Sequence, residues 1–419
     1  EIMPENFHID MPEAVRNIIH TIEEHGFKAY AVGGCIRDSI LGRNPDDWDI
    51  TTSAVPSQIK TFFKRTVDTG IAHGTVTIMI DKTGYEVTTY RIDGEYEDGR
   101  HPKSVEFSDR LVDDLCRRDF TINAMAYNDT DGFVDEFKGL DDLDTKIIRC
   151  VGEPELRFTE DALRMMRAIR FSAQLGFTID EATWNAIKKL SPSISKISME
   201  RVHVELGKTL MSAHPDYVAQ YSEAGLFAPI LPVIDNALKS RYKRKILATL
   251  QHTPDNIYLR YAALFITSTP DEAAKTLRAL KLDNKTVNTV SKLVELSKMD
   301  IEETEPAVRT ALNKYGRDFL PLWHELMMAV IQASEDITGI SNPAKVKHLL
   351  TLKRLGTDIL ARGDCFTIKD LDISGNDLIE YGLQGHEIGE TLKSLLDIVI
   401  ENPKLNDKAT LIAMIEHIK

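Results

Sequence analysis

The chain has 419 residues, a formal net charge of -14 and a hydrophobic fraction of 42%. That length exceeds what one compact core accommodates, so roughly two to four domains are expected. The acidic balance excludes a non-specific nucleic-acid coat while leaving room for a local basic groove, and the lack of any run of about 18 apolar residues excludes a membrane-spanning helix.

Pro12 to Gly26 has the pattern of an amphipathic helix, with Ile18, Ile19 and Ile22 on its apolar side and Gly26 as its stop. Ala29 to Val32 is a short apolar run of buried-strand type. Gly33 and Gly34 then permit a tight turn and close approach of backbone N–H groups to a phosphate. Cys35 to Leu41 reads as a short helix with Arg37 in its first turn, ended by Gly42-Arg43-Asn44-Pro45. Trp48 to Thr52 has strand character, and Asp47 and Asp49 flank Trp48. Residues i and i+2 of a strand share a face, so both carboxylates converge. Paired carboxylates repel unless a cation lies between them, and hard oxygen ligands suit Mg2+, which also bridges substrate phosphates. The unit as a whole reads as a nucleoside triphosphate site beside a divalent metal site.

Gly33-Gly34-x-x-Arg37-Asp38 followed by Asp47-Trp48-Asp49 resembles the head of the nucleotidyltransferase superfamily. More closely, it is similar to the class II tRNA nucleotidyltransferases, the bacterial CCA-adding enzymes, and to the related bacterial poly(A) polymerases. The resemblance gives Asp47 and Asp49 the roles of metal ligands and catalytic carboxylates, and Gly33, Gly34 and Arg37 a role in nucleotide binding.

Ser57 to Phe63 reads as a short helix, and 68–74 as a turn-rich loop leading into a half-buried strand at Thr75 to Ile80. Tyr85 to Ile92 is rich in β-branched and aromatic residues and reads as one strand. The resemblance makes Glu86, near its start, a third catalytic carboxylate. Gly94 to Lys103 is a polar segment between strands that resembles the flexible loop of enzymes adding the terminal adenosine. Leu115 to Ala124 carries Arg118, Asp119 and Asn123. By the same resemblance Arg118 neutralises phosphate oxygens through its guanidinium fork, while Asp119 and Asn123 hydrogen-bond the ribose.

Beyond Cys150 the pattern is almost wholly helical. Asp161, Arg164, Arg167 and Arg170 recur every three residues, a step that keeps helical neighbours adjacent while drifting slowly around the surface. Leu163, Met166 and Ile169 follow the same step on another, core-facing side. The ladder resembles the family's base-reading motif Glu-Asp-x-x-Arg. A carboxylate only accepts hydrogen bonds and a guanidinium only donates them. Asp161 can therefore accept from the amino group of cytosine or adenine while Arg164 donates to the ring acceptor. Uracil and guanine set a carbonyl against Asp161, and each unpaired group costs about 1–3 kcal/mol. Arg167 and Arg170 are expected to orient Asp161 and to meet the nucleotide or the RNA end.

Ser198 reads as the cap of the helix that follows. Lys239, Arg241, Lys243, Arg244 and Lys245 form the strongest basic run, with Tyr242 for stacking, and are candidates for tRNA backbone contacts. Some relatives carry a phosphohydrolase domain marked by a His-Asp pair; the corresponding stretch, Arg260 to Ile266, has none, and no such activity is expected. Ile388, Leu392, Leu395 and Val399 mark an amphipathic face in a segment resembling the family's tail. Cys35, Cys116, Cys150 and Cys365 lack metal-type spacing and fit free thiols in a reducing cytoplasm. The opening Glu1-Ile2-Met3-Pro4 has no basic n-region or apolar h-region, so no signal peptide is expected.

Taken over nearly the whole chain, the resemblance implies an α+β protein. An N-terminal nucleotidyltransferase head with a mixed β-sheet (1–149) precedes an all-α neck (150–200), body (201–290) and tail (291–419). It implies a Mg2+-dependent enzyme that uses CTP and ATP to add C, C and A to the tRNA 3′ end with release of pyrophosphate, in the cytoplasm, without membrane or DNA partners. An A-adding enzyme working with a separate CC-adding partner, a poly(A) polymerase and a non-catalytic RNA-binding protein are the alternatives.

Overall fold

A computed structural model describes residues 7–96 and 102–418, and the contacts divide the chain into two compact units, Glu1–Pro232 and Val233–Lys419. In the first unit, helix α1 (Glu13–Glu24) buries Val15, Ile18, Ile19 and Ile22, the face anticipated from the isoleucine spacing. Burying each such side chain stabilises the fold by ~2 kcal/mol. Strand β1 (Ala29–Val32) is buried throughout, and helix α2 (Gly34–Ile40), strand β2 (Asp49–Thr52) and helix α3 (Pro56–Phe62) follow.

The turn-rich stretch after α3 contains an edge strand, β3 (Thr66–Gly70), which its polar sequence did not announce. It pairs with β4 (Thr75–Ile80), and β4 with β5 (Thr83–Thr89). The single strand expected over Tyr85 to Ile92 is in fact two. The chain leaves the main sheet at Tyr90 and begins β6 (Arg91–Asp93), which pairs instead with β7 (Val105–Phe107). Tyr90 is 1% exposed in the head core, so its burial, rather than β propensity, decides where the strand breaks. Residues 97–101 of the expected flexible loop lie outside the described residues; Tyr96 and Pro102, on either side, form an antiparallel bridge.

Helix α4 (Leu111–Cys116), strands β8 (Ala126–Asn128) and β9 (Gly132–Val134) and helix α5 (Gly139–Thr145) complete the head. The seven-stranded sheet has the order β3-β4-β5-β2-β1-β8-β9 and is mixed, with β2 and β5 parallel and the other pairs antiparallel. The next stretch is not purely helical. Strand β10 (Ile147–Ile148) pairs in parallel with β11 (Thr178–Ile179), tying the end of the head to the helices after it. Those helices are α6 (Pro154–Glu160), α7 (Leu163–Leu175), α8 (Glu181–Leu190) and α9 (Met199–Leu210). Ser198 takes the N-cap position of α9, but its side chain makes no capping hydrogen bond.

The second unit is helical. Helix Pro343–Arg362 packs on Phe319–Thr338, and a Cβ at Gly356 would lie 1.9 Å from Leu320 Cδ2, so a larger residue there would force the Leu320 side chain to move. Leu378, Leu395, Val399 and Leu411 centre a separate core near the end of the chain, with Ile388 and Leu392 packed against it as their spacing predicts. Positions 200 and 290 lie within helices Met199–Leu210 and Asn284–Leu296. Among the described residues no helix is long and apolar enough to cross a membrane, and all four cysteines are free thiols.

Candidate functional site

The end of β1 creates the site. Gly33 has φ +85°, a conformation that a side chain disfavours, and a Cβ there would stand 3.2 Å from Arg118 Nη1. The β1–β2 register sets Val32 opposite Asp49, so the carboxylate at the start of β2 lies beside this glycine turn. On the other side of β2, Ile50 pairs with Val87, which brings Glu86 level with Asp49. Asp47, Asp49 and Glu86 are all exposed. Even so, partial burial and then its acidic neighbours push the Glu86 carboxyl above its ordinary range. Burial also raises Asp49, as does Asp47, while Arg118 opposes the shift. The negative charges of Asp47 and Asp49 act on Glu86, and that of Asp47 on Asp49, a repulsion that a divalent cation relieves, and these hard oxygens fit Mg2+. Among the described residues, no group of three or more His, Cys, Asp or Glu side chains is drawn together into a complete cage. Asp47 and Asp49 therefore fit as a partial set, of the kind that shares Mg2+ with substrate phosphates.

Arg118 is anchored from below. Asp114, fully buried on α4, accepts hydrogen bonds from Thr51 Oγ1 at 3.0 Å, Arg117 Nε at 3.1 Å and Arg118 Nη2 at 3.2 Å. Burial pushes the Asp114 carboxyl up, but Arg117 and Arg118 outweigh it and hold the group below the usual range. Thr51 lies two residues after Asp49 on β2, so the acidic cluster and the arginine arms share one anchor. The sequence carried a signal for Asp114 that went unread: it precedes the two arginines by three and four residues, the spacing of helical neighbours.

Arg37, Asn123 and Asp119 are hydrogen-bonded in series. Arg37 is 9% exposed; its Nε donates to Asp38 at 2.9 Å and its Nη1 to Asn123 Oδ1 at 2.6 Å. Asn123 Nδ2 in turn donates to Asp119 Oδ1 at 3.2 Å, and Arg167 donates to Asp119 Oδ2 at 2.7–2.8 Å. Buried polar groups must be satisfied, and these satisfy one another. Asp119 is held well below the usual carboxylate range: burial raises it, but Arg167 and Arg164 prevail. Of the three, Asp119 lines the nearby cavity, whereas Arg37 and Asn123 stand behind it.

The helix expected to carry the Asp161 ladder is broken at Asp161 itself, which has φ -144° and ψ 107° between α6 and α7. Its Oδ1 accepts the Leu163 N–H at 3.1 Å, an alternative to helical pairing that aspartate commonly takes. Neither Arg167 nor Arg170 orients Asp161 by direct contact. That contact comes from Arg201 on α9, with Nη2 2.9 Å from Oδ2 and Nη1 3.4 Å from Oδ1. Arg201 lies in the first turn of the helix that Ser198 precedes, and nothing in its local spacing marks it as a partner of Asp161. Arg170 is 7% exposed and ion-paired to Glu205 at 2.5 Å, because the three-residue step has turned it to face α9. Arg164 Nη1 pairs with Glu160 at 2.5 Å, and its Nη2 donates to the Arg117 carbonyl at 3.0 Å. Glu160 also accepts from Arg157 at 2.7 Å. The Phe171 ring has the guanidinium carbons of Arg37, Arg167 and Arg170 at 5.0, 5.3 and 4.1 Å from its centroid, a cation–π cluster that ties α2 to α7.

These elements enclose a cavity of ≈ 280 Å³ lined by Arg117, Arg118, Asp119, Asp161, Leu163, Arg164, Arg167 and Arg201. Its wall concentrates arginines within an acidic chain, which suits an anionic ligand carrying a polar edge. At the rim of this region, Tyr96 donates to Asp93 at 2.7 Å.

In the second unit, Arg241, Arg244 and Lys245 line a cavity of ≈ 660 Å³ together with Lys345. Lys239 is ion-paired to Asp235 at 2.8 Å, and Lys243 begins helix Lys243–His252. Three of the five basic candidates are thus gathered at one cavity. Tyr242 is 42% exposed, and the Arg241 guanidinium already covers its ring at 4.9 Å.

Comparison with known proteins gives concordant results. The family model for the poly A polymerase head domain matches residues 29–149, and that for tRNA nucleotidyltransferase domain 2 matches residues 258–415. The CCA-adding enzyme of Pediococcus pentosaceus is 34% identical over 98% of this chain and 98% of its own. That of Limosilactobacillus fermentum is 36% identical over 98% and 97%. The crystal structure of the Bacillus stearothermophilus CCA-adding enzyme in complex with CTP superposes with a TM-score of 0.75 at 32% identity, covering 97% of this chain and 96% of that one.

Proposed function

The chain belongs to the CCA-adding enzymes, and from that membership we propose that it is a template-independent RNA nucleotidyltransferase adding C, C and A to the 3′ end of tRNA. CTP and ATP are the substrates and pyrophosphate is released. The observation that carries this reading is the arginine-lined cavity in which Asp161 and Arg164 meet Arg118 and Asp119.

In the reaction the RNA 3′-hydroxyl oxygen forms a bond to the α-phosphorus, and the bond from that phosphorus to the bridging oxygen of pyrophosphate breaks. Asp47 and Asp49 would hold Mg2+, which would supply Lewis acidity for loss of the hydroxyl proton to solvent and for charge on the leaving group. Glu86 adds a third negative charge beside Asp49 and strengthens the attraction for the cation. Arg118 binds triphosphate oxygens from its Asp114 anchor. Asp119 faces the ribose, with Asn123 and Arg37 bracing it. Asp161 accepts from the base amino group and Arg164 donates to the ring acceptor. Catalysis of this kind rests on positioning and electrostatics.

Residues 1–149 act as the head and 150–200 as the neck, with body and tail helices engaging tRNA. Arg241, Arg244 and Lys245 contact the RNA backbone; their gathering at one cavity supports this reading, and a local basic surface is compatible with the overall acidic charge. Four free thiols support a cytoplasmic location.

The test uses one tRNA transcript lacking its last three nucleotides and another ending in CC, each with Mg2+ and all four NTPs, followed by sequencing of the new ends. Addition of CCA to the first is the expected outcome. Extension of only the CC-ended transcript means an A-adding enzyme, and a long A tail on unrelated RNA means a poly(A) polymerase. No extension of any RNA moves the weight to a binding protein.

The metal assignment has a test independent of activity. Asp49 and Glu86 have folded-state pKa values raised above their unfolded ones. Their contribution to stability therefore falls as pH rises through the unfolded values toward the folded ones. Mg2+ at tenfold its dissociation constant returns about 1.4 kcal/mol at neutral pH. That is a rise of about 3 °C in the melting temperature of a unit this size. The rise is expected to fade on acidification, beginning above the ordinary carboxylate range because both groups are shifted up, and to be absent in Asp49→Ala; an unmoved melting temperature at pH 7 removes Asp47 and Asp49 from the metal site.

A further inference from the structure

We propose that Arg201 is a positioning residue for nucleotide choice, fixing the carboxylate plane of Asp161 so that one acceptor site is left for one base amino group. The inference rests on the base-reading role proposed above for Asp161.

Asp161 lies in a break between helices, where its own chain steadies the side chain only through the bond from Leu163 N–H to Oδ1. A carboxylate held by one oxygen turns easily, since torsions about an sp³–sp² bond are broad. Arg201 removes that freedom by spanning both oxygens, at 2.9 Å to Oδ2 and 3.4 Å to Oδ1. Two-point arginine pairing adds geometric specificity as well as attraction.

The occupancy of the carboxylate then limits what it can read. A carboxylate offers about four lone-pair sites. Leu163 N–H and Arg201 Nη1 fill those of Oδ1, and Arg201 Nη2 takes one of Oδ2. The remaining site belongs to Oδ2. Cytosine and adenine each present one exocyclic amino group to such a site, whereas a carbonyl finds no donor there. Arg164 and Arg167 from α7 and Arg117, Arg118 and Asp119 from the head share the cavity, but the charged side chain that touches the Asp161 carboxylate is Arg201. It reaches Asp161 from 40 residues further along the chain.

The test is a double-mutant cycle on full-length protein with a tRNA transcript lacking its terminal nucleotides. The kcat/KM values for CTP and UTP are measured for wild type, Arg201→Ala, Arg201→Lys, Asp161→Ala and the double variant, with folding checked by circular dichroism. Arg201→Ala is expected to lower discrimination between CTP and UTP about tenfold, the effect of mispairing one buried polar group. Arg201→Lys, which keeps the charge but not the fork, is expected to recover part of it. Removing Arg201 in the Asp161→Ala background should change discrimination no further, because coupled residues are non-additive. Equal loss with every nucleotide, or a full additional loss in the double variant, overturns the proposal. If Arg201→Ala does not fold, Arg201→Gln enters the same cycle, and intact discrimination in it overturns the proposal equally. A wild-type protein that accepts UTP as readily as CTP defeats the base-reading role itself, which separates that failure from this one.

Discussion

Asp49→Ala is expected to reduce nucleotide incorporation about a thousandfold or more while leaving tRNA affinity within about twofold. A metal ion that stabilises transition-state charge supplies several kcal/mol, and about 4 kcal/mol corresponds to a factor of a thousand. Asp49 is the carboxylate on which this cluster converges. Register with β1 sets it beside the glycine turn, register with β5 sets it beside Glu86, and Arg118 acts on it from the phosphate side. Loss of Asp49 therefore removes both a proposed metal ligand and the charge that acts on Glu86. The basic residues assigned to the RNA backbone, Arg241, Arg244 and Lys245, lie in the other compact unit, so tRNA binding has no direct stake in the change. Asp49→Asn sharpens the experiment. It keeps the shape and removes the charge, and because burial and Asp47 disfavour that charge, the metal-free protein should melt no lower than wild type. Incorporation that survives either substitution would falsify the metal assignment.

Arg164→Ala is expected to lower kcat/KM for CTP and ATP by about 10- to 100-fold, the range for losing a hydrogen bond from a charged group. UTP and GTP should fall far less, so selectivity collapses. The donor character of the guanidinium is the reason. Cytosine and adenine present a ring acceptor to it, whereas uracil and guanine present an N–H, which a donor repels. The structure adds that Arg164 is rigid. Glu160 holds it at 2.5 Å and the carbonyls of Arg157 and Arg117 at 3.3 and 3.0 Å, and a guanidinium with five donors still has some left for a base. Steady-state kinetics with each of the four NTPs on one tRNA acceptor decides the matter. Unchanged rejection of UTP and GTP in a folded Arg164→Ala protein shows that the choice is made elsewhere.

Strands β1 and β4 coincide with the stretches expected from sequence, Ala29 to Val32 and Thr75 to Ile80, because a short apolar or alternating run between turn residues has few other places to go. The faces of α1 and of helix His386–Glu401 were legible from isoleucine, leucine and valine spacing for the same reason. Edge strand β3 escaped notice because its residues are polar and exposed, so no hydrophobic pattern marks it. The strand break at Tyr90 escaped because β propensity does not register which sheet a segment joins.

The sequence by itself determined the chemical types at the site: a glycine turn free to take positive φ, two carboxylates two residues apart, and an Asp and Arg with opposite hydrogen-bonding character. These are properties of single residues and near neighbours, and they do not depend on the rest of the chain. The structure places Asp49 at the start of β2 and Asp47 in the segment before it, not on one strand. Tertiary structure alone decided which charge meets which. Arg37 meets Asn123 from 86 residues away, Arg167 meets Asp119 from 48, Arg201 meets Asp161 from 40, and Arg170 turns from the ladder to Glu205. A guanidinium donates to any carboxylate or amide oxygen within reach, so its partner is fixed by packing and by the need to satisfy buried polar groups, neither of which local spacing encodes.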